Sequence, residues 1–225
     1  MWMKTFKDLL LKSFPNLTES EINDFLPKKE ILNSLKIVTH DEVVVQVYTV
    51  QKRPVIFDVR GRIFPTIFFL WKFPDIVYAF TTHRQVMNFI ASGADLMLPG
   101  VVTPPIQPGI SKYGNVSEND TVCVNLSSNK AAIAVGVASQ SSSSMALANS
   151  RGKCVIIHHF YGDNLCTLEG MPVLPIPNLG PPPNGYNLRI LMKIFLNLIA
   201  QEDVTLVEKR MKVKKMYQKI YSLKT

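Results

Sequence analysis

Long apolar runs are missing from this chain: no stretch reaches the roughly 18 consecutive apolar residues that a membrane-spanning helix needs. Near the N-terminus, Lys4, Lys7 and Lys12 interrupt the apolar residues, which excludes the apolar core of a secretory signal. Cysteine is scarce. Cys123, Cys154 and Cys166 are odd in number and widely spaced. They cannot form a disulfide framework, so a reducing compartment is expected. The glycosylation sequons at Asn16, Asn115, Asn119 and Asn125 then carry no meaning, and a cytoplasmic location follows. Catalytic signatures are absent too. The sequence has no Walker-type phosphate loop, no G-x-G-x-x-G after a strand and no G-x-S-x-G elbow. It reads as a noncatalytic chain that calls for no cofactor.

What is present suits a folded protein. Of the 225 residues, 47% are hydrophobic and 19% charged, far from the composition of disordered chains. The net charge is +8, which favours an anionic partner such as nucleic acid. Its distribution weakens that inference. Lys209, Arg210, Lys212, Lys214, Lys215, Lys219 and Lys224, set against Glu202, Asp203 and Glu208, leave +4 of the excess in the last 25 residues.

Phe6, Leu9, Leu10 and Phe14 fall at helical spacing and Pro15 ends the run. Thr18 and Glu21 have capping-box spacing ahead of Ile22, Phe25 and Leu26, and Pro27 stops that second helix. The valine-rich stretch 42–50 and residues 54–59 predict strands, with Arg60-Gly61-Arg62 as a turn. Pro65 is expected to open a short helix through Trp71, and Pro74 a second one. The aromatic density over Phe64, Phe68, Phe69, Trp71, Phe73, Tyr78 and Phe80 fits a core better than base stacking. Thr81 and Thr82 are expected to cap a helix whose apolar face holds Val86, Phe89 and Ile90, ended by Ser92-Gly93. Strands follow over 95–98, 121–126, 131–138 and 155–160, a pattern that suits a small barrel. Ser141 to Ser144 read as a loop leading into a short helix over 145–148. After Gly170 the many prolines make an extended linker. Leu188, Leu191, Ile194, Phe195 and Leu198 then form a helical stripe ahead of the basic end.

Two groups of residues have chemical interest. Cys154, His158, His159, Asp163 and Cys166 form the most metal-like cluster. Neighbours on a strand point to opposite faces, so His158 and His159 cannot readily serve one ion, and the cysteines lack the close pairing of structural zinc sites. One buried and one exposed histidine, with no metal, is the reading adopted. The second group is the short strand between Gly93 and Gly100. Glycine on either side of a strand lets backbone approach a phosphate or nucleotide closely. Generic strand-turn geometry accounts for the same residues equally well.

The helix followed by Gly93-Ala94-Asp95-Leu96-Met97-Leu98-Pro99-Gly100-Val101 resembles the hallmark of the PUA domain, the RNA-binding module named for pseudouridine synthases and archaeosine transglycosylases. Upstream, Leu26-Pro27-Lys28-Lys29-Glu30, Phe64-Pro65-Thr66 and Trp71-Lys72-Phe73-Pro74-Asp75 resemble the pre-PUA domain of a family of translation factors. That family comprises ligatin (eukaryotic translation initiation factor 2D) and the malignant T-cell-amplified sequence protein. Leu70-Trp71 and Leu96-Met97-Leu98-Pro99-Gly100 favour the ligatin branch, and the likeness runs over residues 5–168.

The resemblance implies an α+β chain: a mixed α/β pre-PUA domain over 1–81 and a PUA pseudo-barrel over 82–168. A Pro/Gly-rich linker over 169–186 and a basic amphipathic helical tail over 187–225 complete the expected organisation. It further implies association with the small ribosomal subunit, its rRNA and tRNA in initiation, reinitiation or recycling, by a monomer with no membrane partner. Carried over to matching positions, Gly93, Ala94, Asp95, Leu98, Pro99 and Gly100 would meet RNA. Lys112, Arg151 and Lys153 would supply phosphate contacts. Docking of a SUI1-domain protein is the alternative, and an accessory domain of an RNA-modifying enzyme a more distant one. Cys166 stands where the relatives tend to carry tryptophan, which implies different packing at that barrel edge.

Overall fold

The computed structural model describes residues 2–27, 29–40, 42–103, 111–148 and 151–182. The predicted tail over 187–225 lies outside them.

Two helices open the chain, α1 (Trp2–Ser13) and α2 (Glu19–Phe25). The capping box at the start of α2 forms as predicted: the Thr18 hydroxyl accepts from the Glu21 amide, and the Glu21 carboxylate accepts from the Thr18 amide at 3.0 Å. An antiparallel sheet follows in sequence order, β1 (Leu32–Val38), β2 (Val44–Val50), β3 (Arg53–Val59) and β4 (Arg62–Pro65). Helix α3 (Ile67–Lys72) starts two residues later than the sequence implied, because the N-cap is Thr66, whose hydroxyl accepts from the Phe69 amide. Pro65 closes β4 instead of opening the helix.

The segment after α3 departs most from expectation. No helix starts at Pro74; the chain turns and enters β5 (Tyr78–Thr82). Tyr78, Phe80, Thr81 and Thr82 are strong strand formers, and β5 pairs in parallel with β7 (Thr121–Leu126). Thr81 and Thr82 are therefore strand residues, not caps. The N-cap of α4 (Arg84–Ala91) is His83, which makes no side-chain capping bond. A boundary at 81/82 would cut through β5, a strand of the barrel sheet.

That second sheet runs β5-β7-β8-β9-β6, with β6 at Leu96–Met97, β8 at Asn129–Ala138 and β9 at Lys153–Phe160. Its two edges are stitched together. The Thr82 hydroxyl donates to the Gly100 carbonyl at 2.6 Å, Val102 N–H donates to Thr81 at 2.8 Å, and Thr82 bridges Val101. Closing the sheet on itself leaves no long edge exposed and makes the pseudo-barrel. Helix α5 (Ser142–Leu147) starts earlier than predicted, with Ser141 as its cap.

One apolar cluster joins both halves. Phe6, Leu10, Phe14, Ile22, Leu26, Phe69, Leu70 and Phe73 pack in the same core as Cys123, Ala132, Val135 and Cys166 of the barrel side. The aromatic-dense stretch is core, as read from sequence: Phe64, Phe69, Phe73 and Phe80 are all buried. Arg62 also crosses between sheets, donating to the Asn119 carbonyl and the Thr121 hydroxyl.

The proline-rich stretch over 171–182 has no helix or strand and is tied to the body. Arg53 holds the Pro172 carbonyl, the Asn129 amide holds that of Pro177, and Lys130 N–H donates to Gly180 at 2.7 Å. Among the described residues no helix is long and apolar enough to cross a membrane.

Candidate nucleic-acid interface

Helix α4 ends in a Schellman motif. Gly93 N–H donates to the Ile90 carbonyl at 2.9 Å and Ala94 N–H to that of Phe89 at 3.0 Å, with Gly93 at φ 88°. A side chain there would strain the backbone, and only open space surrounds the missing Cβ. The motif also consumes the two amides. Gly93 and Ala94 are exposed, but their N–H groups face the helix and are not available to a phosphate. What the turn offers a ligand is a small, smooth surface.

Asp95 braces this turn against β9. One carboxylate oxygen accepts the Ile157 amide at 3.0 Å and the other lies 2.7 Å from the Lys153 ammonium. Partial burial pushes the carboxyl up, but the hydrogen bonds from Lys153 and Ile157 and the charges of Lys153 and His158 outweigh it. The group sits below the ordinary carboxylate range. The Leu98 amide donates to Gly152 at 2.9 Å, so the Arg151-Gly152-Lys153 stretch lies beside the turn.

The nine residues nominated from sequence thus divide. Gly93, Ala94 and Pro99 are exposed on one edge, flanked by Arg151 and Lys153, also exposed. Asp95 and Lys153 are already paired with each other. The Leu98 side chain is 2% exposed and belongs to the barrel core, so it cannot touch RNA. Gly100 has its open side toward the Leu96 and Val86 side chains, and the missing Cβ makes room for them, not for a ligand. Lys112 lies over the ring of its neighbour Tyr113, whose carbonyl accepts the Ser142 hydroxyl at the start of α5.

Sequence reasoning missed two exposed residues. Arg84 opens α4, and no described carboxylate pairs with it or with Arg151. Phe89 was expected in the apolar face but is 66% exposed. At about 100° per residue, Val86, Met87 and Ile90 share one arc, and Phe89 falls about 60° beyond its edge. The charge balance was legible though unread. Between Asp75 and Asp163 the carboxylates are Asp95, Glu118 and Asp120, against Arg84, Lys112, Lys130, Arg151 and Lys153.

The metal-like cluster resolves into a hydrogen-bonded turn. His159 is buried and His158 exposed, as the strand alternation predicted. Atoms of His159, Asp163 and Cys166 lie within 4.8 Å of one another. The Asp163 carboxylate, however, already faces His159 Nδ1 at 2.7 Å and accepts the amides of Phe160, Leu165 and Cys166. Burial pushes the Cys166 thiol up to about 12. Cys166 is itself fully buried in the core shared by both halves.

Residues 3–74 match the model of the pre-PUA-like domain, and residues 77–164 match the model described as eIF2D, PUA domain. The chain carries a pre-PUA-like domain followed by a PUA domain. The second match takes in Tyr78–Thr82, in agreement with the pairing of β5. Eukaryotic translation initiation factor 2D of Rattus norvegicus is 37% identical over 153 residues, which are 68% of this chain and 26% of that protein. Translation machinery-associated protein 20 of Eremothecium gossypii is 29% identical over 166 residues, covering 72% of this chain and 85% of that one. A solved structure of a hypothetical protein from Pyrococcus horikoshii aligns with a TM-score of 0.53 at 22% identity, over 72% of this chain and 92% of the other, and shares the fold. The chain spans about a quarter of the length of the initiation factor it matches. The resemblance drawn from the Gly93 segment and the upstream motifs is borne out.

Proposed function

We propose that this chain is a noncatalytic RNA-binding module of translation, acting in the cytoplasm. It associates with the small ribosomal subunit and tRNA during initiation, reinitiation or recycling. The observation that carries this reading is the exposed edge formed by α4, the Gly93-Ala94 turn and Arg151, set in a PUA domain of initiation-factor type. Its cations Arg84 and Arg151 have no described carboxylate partner, and the turn contributes shape without charge. Phosphate contacts of this kind supply affinity without sequence information and weaken steeply with salt. Co-sedimentation with small ribosomal subunits and filter binding of tRNA, both at low salt, test the reading. Binding by the intact chain and weakening in R84A/R151A are expected; no affinity for either at low salt overturns it.

Protein docking has its own support. Val38 and Val44 face each other at the end of the β1–β2 pair and are 67% and 53% exposed. Such a patch suits a protein partner such as a SUI1-domain chain. A pull-down that survives nuclease treatment and is lost in V38D/V44D would favour it.

A further inference from the structure

Phe89 stands out among the described aromatic residues because its ring faces solvent on the edge that carries Arg84 and Arg151, neither of which has a described carboxylate partner. The exposed arc of α4 runs from Phe89 through Gln85, Ser92 and Asn88 to Arg84, and it holds no acidic side chain. The Phe89 carbonyl accepts the Ala94 amide, so the ring is mounted on the rigid end of the helix. Its helical neighbours Gln85 and Ser92 are polar and uncharged. Along the exposed arc of α4 this is a single π-face amid hydrogen-bonding groups, not the contiguous apolar patch a protein hot spot requires. Leaving a phenyl ring in water has no packing rationale here, since Val86, Met87 and Ile90 already serve the barrel core.

We propose that Phe89 is a stacking platform for an unpaired RNA base, with Arg84 and Arg151 taking the adjoining phosphates, so that the site selects single-stranded over fully paired RNA. The inference rests on the RNA-binding reading above. Every base has a π-face, whereas a base inside a duplex presents only its edge to a protein, so a lone exposed ring distinguishes the two forms. Arg84 and Arg151 provide the complementary charge.

The test uses the full chain with a short unstructured RNA oligonucleotide, alone and annealed to its complement. F89L keeps an apolar side chain without the π-face and should weaken single-strand binding about 5- to 150-fold, the weight of one stacked base. Duplex binding should change by less than about twofold, and F89W should restore single-strand affinity with quenching of the new indole on binding. Equal single-strand affinity in F89L and the parent, alongside weakening in R151A, overturns the stacking while leaving the RNA reading intact. Equal losses for strand and duplex also overturn it. Failure of the parent chain to bind either RNA overturns both readings.

Discussion

The indole N–H of Trp71 donates to the carbonyl of Ala132 at 2.8 Å, fastening α3 of the first domain to β8 of the barrel. The shared core around Phe69, Leu70, Phe73, Ala132 and Val135 continues the same seam. Two domains that bury one core should unfold together. Urea denaturation followed by tryptophan fluorescence and by far-UV dichroism should give coincident transitions. W71F leaves the Ala132 carbonyl without its donor and should lower stability by about 1–3 kcal/mol with an unchanged slope. Separated transitions would show that the seam does not couple the domains.

Gly136 lies where β8 and β9 shift register, opposite Ile157. A methyl group there would run into the Ile156 backbone carbonyl. Backbone cannot step aside as a flexible side chain can, so G136A should destabilise by about 3 kcal/mol or more. Thermal melting of G136A beside A134G, which removes a buried methyl on the same strand without a clash, separates overpacking from general sensitivity of β8. A melting point for G136A within a degree or so of the parent would contradict the close approach.

His159 is 1% exposed, its Nε2 has no described partner and its Nδ1 is held by Asp163. D163A would leave both ring nitrogens unpaired in the core and free three backbone amides, for a loss of about 3 kcal/mol. Burial pushes the Asp163 carboxyl up, but the His159 hydrogen bond and charge and the backbone amides hold it below the ordinary range. A carboxyl depressed in the folded state stabilises above its unfolded value and loses that contribution as pH falls through the folded value. Stability should therefore drop below about pH 4 in the parent, and the drop should be shallower in D163A. Chemical denaturation at pH 5 and pH 3 reads both effects.

Much of the barrel was legible because its strands announce themselves by composition. The spans over 121–126 and 131–138 emerged close to Thr121–Leu126 and Asn129–Ala138. The capping box at Thr18 and the helix end at Gly93 were legible because each is a local event written in adjacent residues. What failed depended on distant partners. Tyr78–Thr82 becomes a strand because β7, some forty residues later, lies beside it. The Leu98 side chain left the candidate interface because the barrel needs it in the core, and Gly100 because Val86 fills the space beside it. Phe89 was misplaced because an eight-residue helix permits two apolar arcs, and only the packing of Val86, Met87 and Ile90 chooses between them.

Asp95 offers the sharpest separation of scaffold from surface. Its Oδ1 accepts the Ile157 amide and its Oδ2 neutralises Lys153, which is 57% exposed beside the turn. D95N keeps an acceptor for the amide and releases the lysine. An exposed pair of this kind contributes little, so the loss of stability should stay within about 1 kcal/mol at neutral pH. Because the native carboxyl is held below its ordinary value, the difference between parent and D95N should shrink as pH falls below about 4. RNA affinity should rise, and the slope of log K against log salt for a single strand should steepen by about 0.7, one further phosphate contact. D95A, which removes the amide acceptor as well, should loosen the turn and lose that gain. If D95N instead weakens binding with no change of slope, the carboxylate itself meets the RNA, and Lys153 is only its holder.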